Sequence, residues 1–96
     1  MNKVETILAE RGARYGKFED HARVAITMKR TLGHRLLERQ RAGELGEIRF
    51  DVLEALDMIA HKLARIANGD PEYADSWRDI AGYATLVADR IEGESR

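Results

Sequence analysis

The stretch from Phe50 to Ile91 reads FDVLEALDMIAHKLARIANGDPEYADSWRDIAGYATLVADRI, and its spacing predicts two amphipathic helices joined by a tight turn. Val52, Leu56, Ile59, Leu63 and Ile66 recur at steps of three and four, so a helix over about Phe50 to Ala67 carries one continuous apolar seam, read as its core face. Asn68-Gly69-Asp70-Pro71 then supplies a helix stop, a permissive glycine and a proline suited to opening the next helix. The second helix, about Glu72 to Ile91, repeats the layout with Tyr73, Trp77, Ile80, Ala84, Val87 and Ile91 as its seam, and the pair folds back as an antiparallel hairpin. Asp75, Asp79, Gly82 and Leu86 lie across from that seam. A mid-helix glycine costs about 1 kcal/mol relative to alanine, and a leucine gains nothing from water, so this second face is expected to meet a partner subunit.

Outward from the hairpin, a short helix covers Lys3 to Glu10 and is stopped by Gly12, and the loop Arg14-Tyr15-Gly16 follows. Phe18 opens a longer helix to about Arg39, with Gly33 a point of bending or interruption. Its Phe18, His21, Ala25, Met28, Leu32 and Leu36 form an apolar stripe, and Gly43 to Glu47 is a polar connection to the hairpin. Glu92 to Arg96 is a polar tail expected to fray. The single proline, the lack of β-alternation and the runs of Ala, Leu, Glu, Arg and Lys make residues 1–96 one all-α domain, a small helical bundle with a C-terminal antiparallel hairpin.

At 96 residues the buried fraction of surface is small, and self-association would add to it. There is no cysteine to bridge or to bind zinc as thiolate, and the three histidines do not match a zinc-ligand spacing. The 16 basic and 17 acidic residues are mixed along the chain, which argues against a surface dominated by nucleic-acid binding. No apolar run approaches the roughly 20 residues that span a bilayer, and the first residues lack a signal-peptide core, so a cytoplasmic protein is expected.

The hairpin sets four carboxylates at helical spacing. Glu54 and Asp57 are three apart, Asp75 and Asp79 four apart, and each pair sits side by side on its helix. Hard cations take oxygen ligands, so the four together suit Mg²⁺ or Mn²⁺. At about 100° per residue, however, Glu54, Asp57, His61 and Arg65 cluster opposite the seam, which ordinary solvation also explains. Asp57 can pair with His61 and Asp75 with Arg78. Lys62 and Arg65 follow the first acidic pair by one to two turns, within reach of a phosphate chain, or they serve the helix C-terminus as cations. Arg14 and Tyr15 offer a cation and a ring to a nucleotide, or a helix-corner anchor. Tyr83, at the boundary of the last seam, is structural or base-stacking, Trp77 belongs with the core, and His21, His34 and His61 are isolated and carry no catalytic role.

The string from Glu54 to Ile66, Asn68-Gly69-Asp70-Pro71, the run Asp75-Ser76-Trp77-Arg78-Asp79-Ile80-Ala81-Gly82-Tyr83 and the early Glu10 to Gly16 resemble a family of small phage and prophage proteins without an assigned function. More distantly, an acidic pair on each of two successive helices is similar to the MazG-like all-α nucleoside triphosphate pyrophosphohydrolases, whose ExxE and ExxD motifs bind magnesium in oligomeric helical bundles. On that resemblance Glu54 and Asp57 stand for the ends of the first motif and Asp79 for the end of the second; Asp75 lies one residue too far, at the place before Ser76, and Leu53 stands where a further glutamate is usual.

The resemblance implies a phage-derived, metal-dependent hydrolase that cleaves a nucleoside triphosphate between its α and β phosphates. Glu54, Asp57 and Asp79 would be catalytic, those three with Asp75 would hold Mg²⁺ or Mn²⁺, and Lys62, Arg65, Arg14, Tyr15 and Tyr83 would contact substrate in a dimer or tetramer. The rival expectation is a non-catalytic helical adaptor that dimerises and binds a host or phage protein. Nucleic-acid binding through Arg23, Lys29, Arg30, Arg35, Arg39 and Arg41 ranks last, because those residues spread around their helix.

Overall fold

The structure is a computed structural model describing residues 2–93; of the expected C-terminal tail, residues 94–96 lie outside the described residues. Four helices and no strand are present among the described residues: α1 Lys3–Tyr15, α2 Phe18–Arg41, α3 Phe50–Asn68 and α4 Ala74–Ile91. The all-α class and the C-terminal hairpin are therefore as the hydrophobic spacing predicts.

The ends of the helices follow from local chemistry. Asn2 caps α1 by accepting from the Glu5 backbone N–H at 2.8 Å, while the Glu5 carboxylate accepts from the Asn2 backbone N–H at 3.3 Å. This reciprocal capping box satisfies two otherwise orphaned donors. Gly12 does not stop the helix as expected; a single glycine costs too little to break a capped helix, and α1 runs on to Tyr15. The stop is Gly16, at φ +77, a left-handed conformation open to glycine, with its N–H donating to the Gly12 carbonyl. Arg14 and Tyr15 thus ride on the last turn of a helix rather than in a loop. Gly33 lies inside an unbroken α2, and α4 starts two residues later than expected, because Pro71 and Glu72 belong to a turn in which the Asp70 carboxylate accepts from the Glu72 N–H.

α3 runs through the middle, antiparallel to α4 on one side and to α2 on the other, while α2 and α4 do not touch. The result is a layer about three helices wide, with overall extents of 54 × 29 × 23 Å. Two cross-helix ion pairs fix the hairpin register: Arg90 reaches both carboxylate oxygens of Asp51 at 2.6 and 2.9 Å, and Lys62 Nζ meets Asp79 at 3.1 Å. Two parallel N–H···O bonds make the first pair geometrically specific, and they hold the Asp51 carboxyl below and the Arg90 guanidinium above its ordinary range.

The interior is thin. Ala25, Ala55, Ala60 and Ala64 are the buried apolar residues, and no large side chain is fully enclosed among the described residues. Alanines fill these places because α3 is gripped on two opposite flanks, where close approach of backbones leaves room for little more than a methyl group. The expected seams need correcting accordingly. Val52, Leu56, Ile59 and Ile66 are half-buried, Leu63 is 40% exposed, and on α4 Trp77 is 51% and Ile91 66% exposed. The row of α4 turned to α3 keeps Ile80 and Val87 of the expected seam and takes in Ser76, Tyr83 and Arg90, at steps of four and three. On α2, His21 and Ala25 are buried as expected and Met28 and Leu36 half-buried, but Phe18 and Leu32 are exposed.

Candidate functional site

The corner where α1 ends beside the α3–α4 turn is built by two glycines in close approach. A Cβ on Gly16 would run into the Asn68 carbonyl, and a Cβ on Gly69 would collide with the backbone of Arg14 and Tyr15. The Asp70 N–H donates to the Arg14 carbonyl at 2.6 Å, tying the last turn of α1 to the hairpin. This contact lays Tyr15 against Arg65, whose guanidinium carbon stands 4.2 Å from the ring centroid. Arg14 stands 5.0 Å over Tyr73, and the two tyrosine rings meet edge to face at 6.2 Å. A cation over a ring face is attracted by its quadrupole, so each arginine is oriented without being neutralised. The Tyr73 hydroxyl donates to Asp75 at 3.0 Å, and that bond holds the phenol above its usual pKa.

Below this corner, α1, α2 and α3 enclose a cleft of about 400 Å³ walled by Leu8, Arg11, Tyr15, Lys17, Phe18, His21, His61 and Arg65. Among the described residues no carboxylate lies within ion-pairing distance of Arg11, Lys17 or Arg65. The floor is a pair of histidines: His21 Nε2 and His61 Nδ1 are 3.2 Å apart, with rings edge to face at 87°. One nitrogen of such a pair must carry a proton and the other accept it. Burial, then the nearby charge of Arg65, pushes His61 down to about 4 and His21 down as well, so both rings are neutral at pH 7. His21 Nδ1 is buried with no hydrogen-bond partner among the described residues.

The expectation of isolated histidines is thus overturned: His61 turns to His21, not to Asp57. Forty residues separate them, and no local pattern announces the contact. The nearest hint is a polar His21 inside the apolar stripe of α2.

The four carboxylates do not come together within one chain. Among the described residues no three Asp, Glu, His or Cys side chains gather closely enough to hold a metal ion. The hairpin register is the reason. It sets Asp79 level with Lys62, about 8 Å along the axis from Asp57 and farther from Glu54 at 1.5 Å per residue. Asp79 is engaged by Lys62, whose side chain is only 12% exposed, and Asp75 by Tyr73 and, at 3.5 Å, by Arg78 as the spacing suggested. Glu54 and Asp57 are exposed. Of the expected substrate contacts, Arg14, Tyr15 and Arg65 meet at the α1–α3 corner. Lys62 lies instead in the seam between α3 and α4, and half-buried Tyr83 lines a shallow groove on α4 with Asp79, Gly82 and Leu86.

Residues 1–91 match the model of a family described as a domain of unknown function, DUF6378. No curated protein and no solved structure matches the chain. No helix among the described residues is long and apolar enough to cross a membrane.

Proposed function

This chain belongs to the DUF6378 family, and we propose that it binds a phosphate-bearing ligand of nucleotide size in the cleft between α1, α2 and α3. The observation that carries this reading is the set of cations without carboxylate partners, Arg11, Lys17 and Arg65, around one cleft that also presents the Tyr15 ring. An unpaired guanidinium held in place, as Arg65 is over Tyr15, is suited to phosphate oxygens, where each charge-assisted bond is short and strong. Tyr15 and Phe18 supply flat apolar surface for a base or sugar. The neutral histidine pair adds a hydrogen-bond donor without adding charge.

Hydrolysis of a bound nucleoside triphosphate is the second reading, favoured by one observation: Asp79 and Lys62 place an acid and a cation together in the α3–α4 seam. That chemistry needs an acidic cradle for Mg²⁺ or Mn²⁺. Glu54, Asp57, Asp75 and Asp79 of a single chain do not fit one, so the reading requires acids from a neighbouring copy, whereas ligand binding in the cleft does not.

Calorimetric titration with inorganic phosphate, pyrophosphate and nucleoside mono-, di- and triphosphates tests the proposal. At least one is expected to bind, and Arg65→Ala is expected to weaken it by about tenfold to a hundredfold, the loss of a hydrogen bond to a charged group. Arg78→Ala, on the exposed face of α4, should leave binding unchanged. Absence of heat from all these ligands at millimolar concentration, or equal effects of the two variants, would overturn it.

A further inference from the structure

The surface of this chain is larger than a folded monomer of its mass should have. It exposes 7212 Å², where a monomeric protein of 10.9 kDa exposes about 5600 Å². The excess of about 1600 Å² per chain lies well beyond the roughly 800 Å² that each partner gives to a standard interface, and within the range of obligate homodimers. The thin interior agrees: the buried apolar residues among the described residues are four alanines, and the large apolar side chains are half-buried or exposed.

Part of this apolar surface shares one side of the layer: half-buried Val52, Leu56 and Ile59 with exposed Leu63, Trp77 and Ile91. At about 100° per residue, Val52, Leu56, Ile59 and Leu63 lie on the side of α3 away from Glu54, His61 and Arg65. Asp79 marks the other flank of α4 through its contact with Lys62, which turns Trp77, Ala84 and Ile91 to the same side as the α3 row. Together they form a broad strip across the hairpin with no Asp, Glu, Lys or Arg among those seven positions. The apolar periodicity legible in the sequence is therefore satisfied only in part by the chain's own helices.

We infer that a second copy of this chain packs on that strip, hairpin against hairpin, to form a homodimer whose core is made by Leu56, Ile59, Leu63 and Trp77 of both copies. A two-fold axis through the strip sets apolar against apolar and opposes no like charges, because the same uncharged patch is used twice. The two charged sides, with the cleft at His61 and Arg65, then face outward. Dimerisation and ligand binding consequently stand or fall separately.

Sedimentation equilibrium of the full chain, from about 1 to 100 µM, tests the dimer. The expected result is twice the mass of one chain across the range, with Trp77 fluorescence shielded from acrylamide although the residue is half exposed in one copy. Leu63→Glu should raise the dissociation constant at least a hundredfold and render Trp77 quenchable. Leu86→Glu, on the opposite flank of α4, should leave both unchanged. If Leu63→Glu fails to fold, the wild-type mass and Trp77 quenching still decide. A monomer throughout, a wild-type Trp77 quenched freely, or an assembly disrupted by Leu86→Glu and not by Leu63→Glu would overturn the inference.

Discussion

The α3–α4 seam and the α1–α3 corner both bring charged side chains together, and they do so in opposite ways. In the seam each cation meets its anion: Lys62 with Asp79 and Arg90 with Asp51, in matched register. In the corner Arg14 and Arg65 are laid on tyrosine rings and keep their charge. Neutralised pairs hold a hairpin in register, whereas an oriented cation without a counter-anion has capacity for a ligand. Of the four grouped acids of the hairpin, Asp79 and Asp75 are engaged by Lys62 and Arg78, whereas Glu54 and Asp57 stand exposed.

The comparison breaks most sharply at the glycines. Gly69→Ala should destabilise by about 3 kcal/mol or more, since its Cβ would meet the backbone of Arg14 and Tyr15 and force the corner apart. Gly82→Ala, on the open side of α4, should instead stabilise by up to about 1 kcal/mol. Chemical denaturation of the two variants reads both signs at once. Equal effects would mean that the corner is not built on close backbone approach.

The histidine pair sharpens it next. His61 is held near 4 in the fold and about 6.5 when unfolded, so between those values the unfolded chain binds more protons and stability falls as pH falls. The contribution is complete above about pH 6.5 and is lost towards pH 4. With solvent screening discounted, a drop of about 1 kcal/mol between pH 7 and 5 is expected, and His61→Asn should flatten that part of the profile. Titration of the His61 ring protons by NMR gives the same answer at one residue. The smallest effect belongs to the seam: Asp79→Asn should cost about 1 kcal/mol or less, falling with added salt, because half of its side chain is in water.

Much of the fold was readable beforehand. The four helices and the hairpin turn at Asn68 to Pro71 rest on local interactions, and the boundaries of α3 agree with the spacing to within a residue. Gly12 misled because a glycine looks alike whether it ends a helix or sits within one, and the left-handed Gly16 is told apart only by its backbone angle. Of the expected site, Arg14, Tyr15 and Arg65 were named from local composition and do converge. Glu54, Asp57, Asp75 and Asp79 were grouped by spacing along single helices, which says nothing of the axial offset between one helix and the next.

Amphipathic periodicity, capping residues and turn chemistry act between near neighbours, so the order of residues alone specifies four helices and the apolar side of each. Which flank of α3 receives α2 and which α4, the one-to-two-turn offset of Asp79 from Asp57, and the meeting of His21 with His61 depend on how whole helices dock. Docking is set by close approach at alanines and glycines and by ion pairs some 17 to 40 residues apart, and none of these leaves a mark within a single turn of helix.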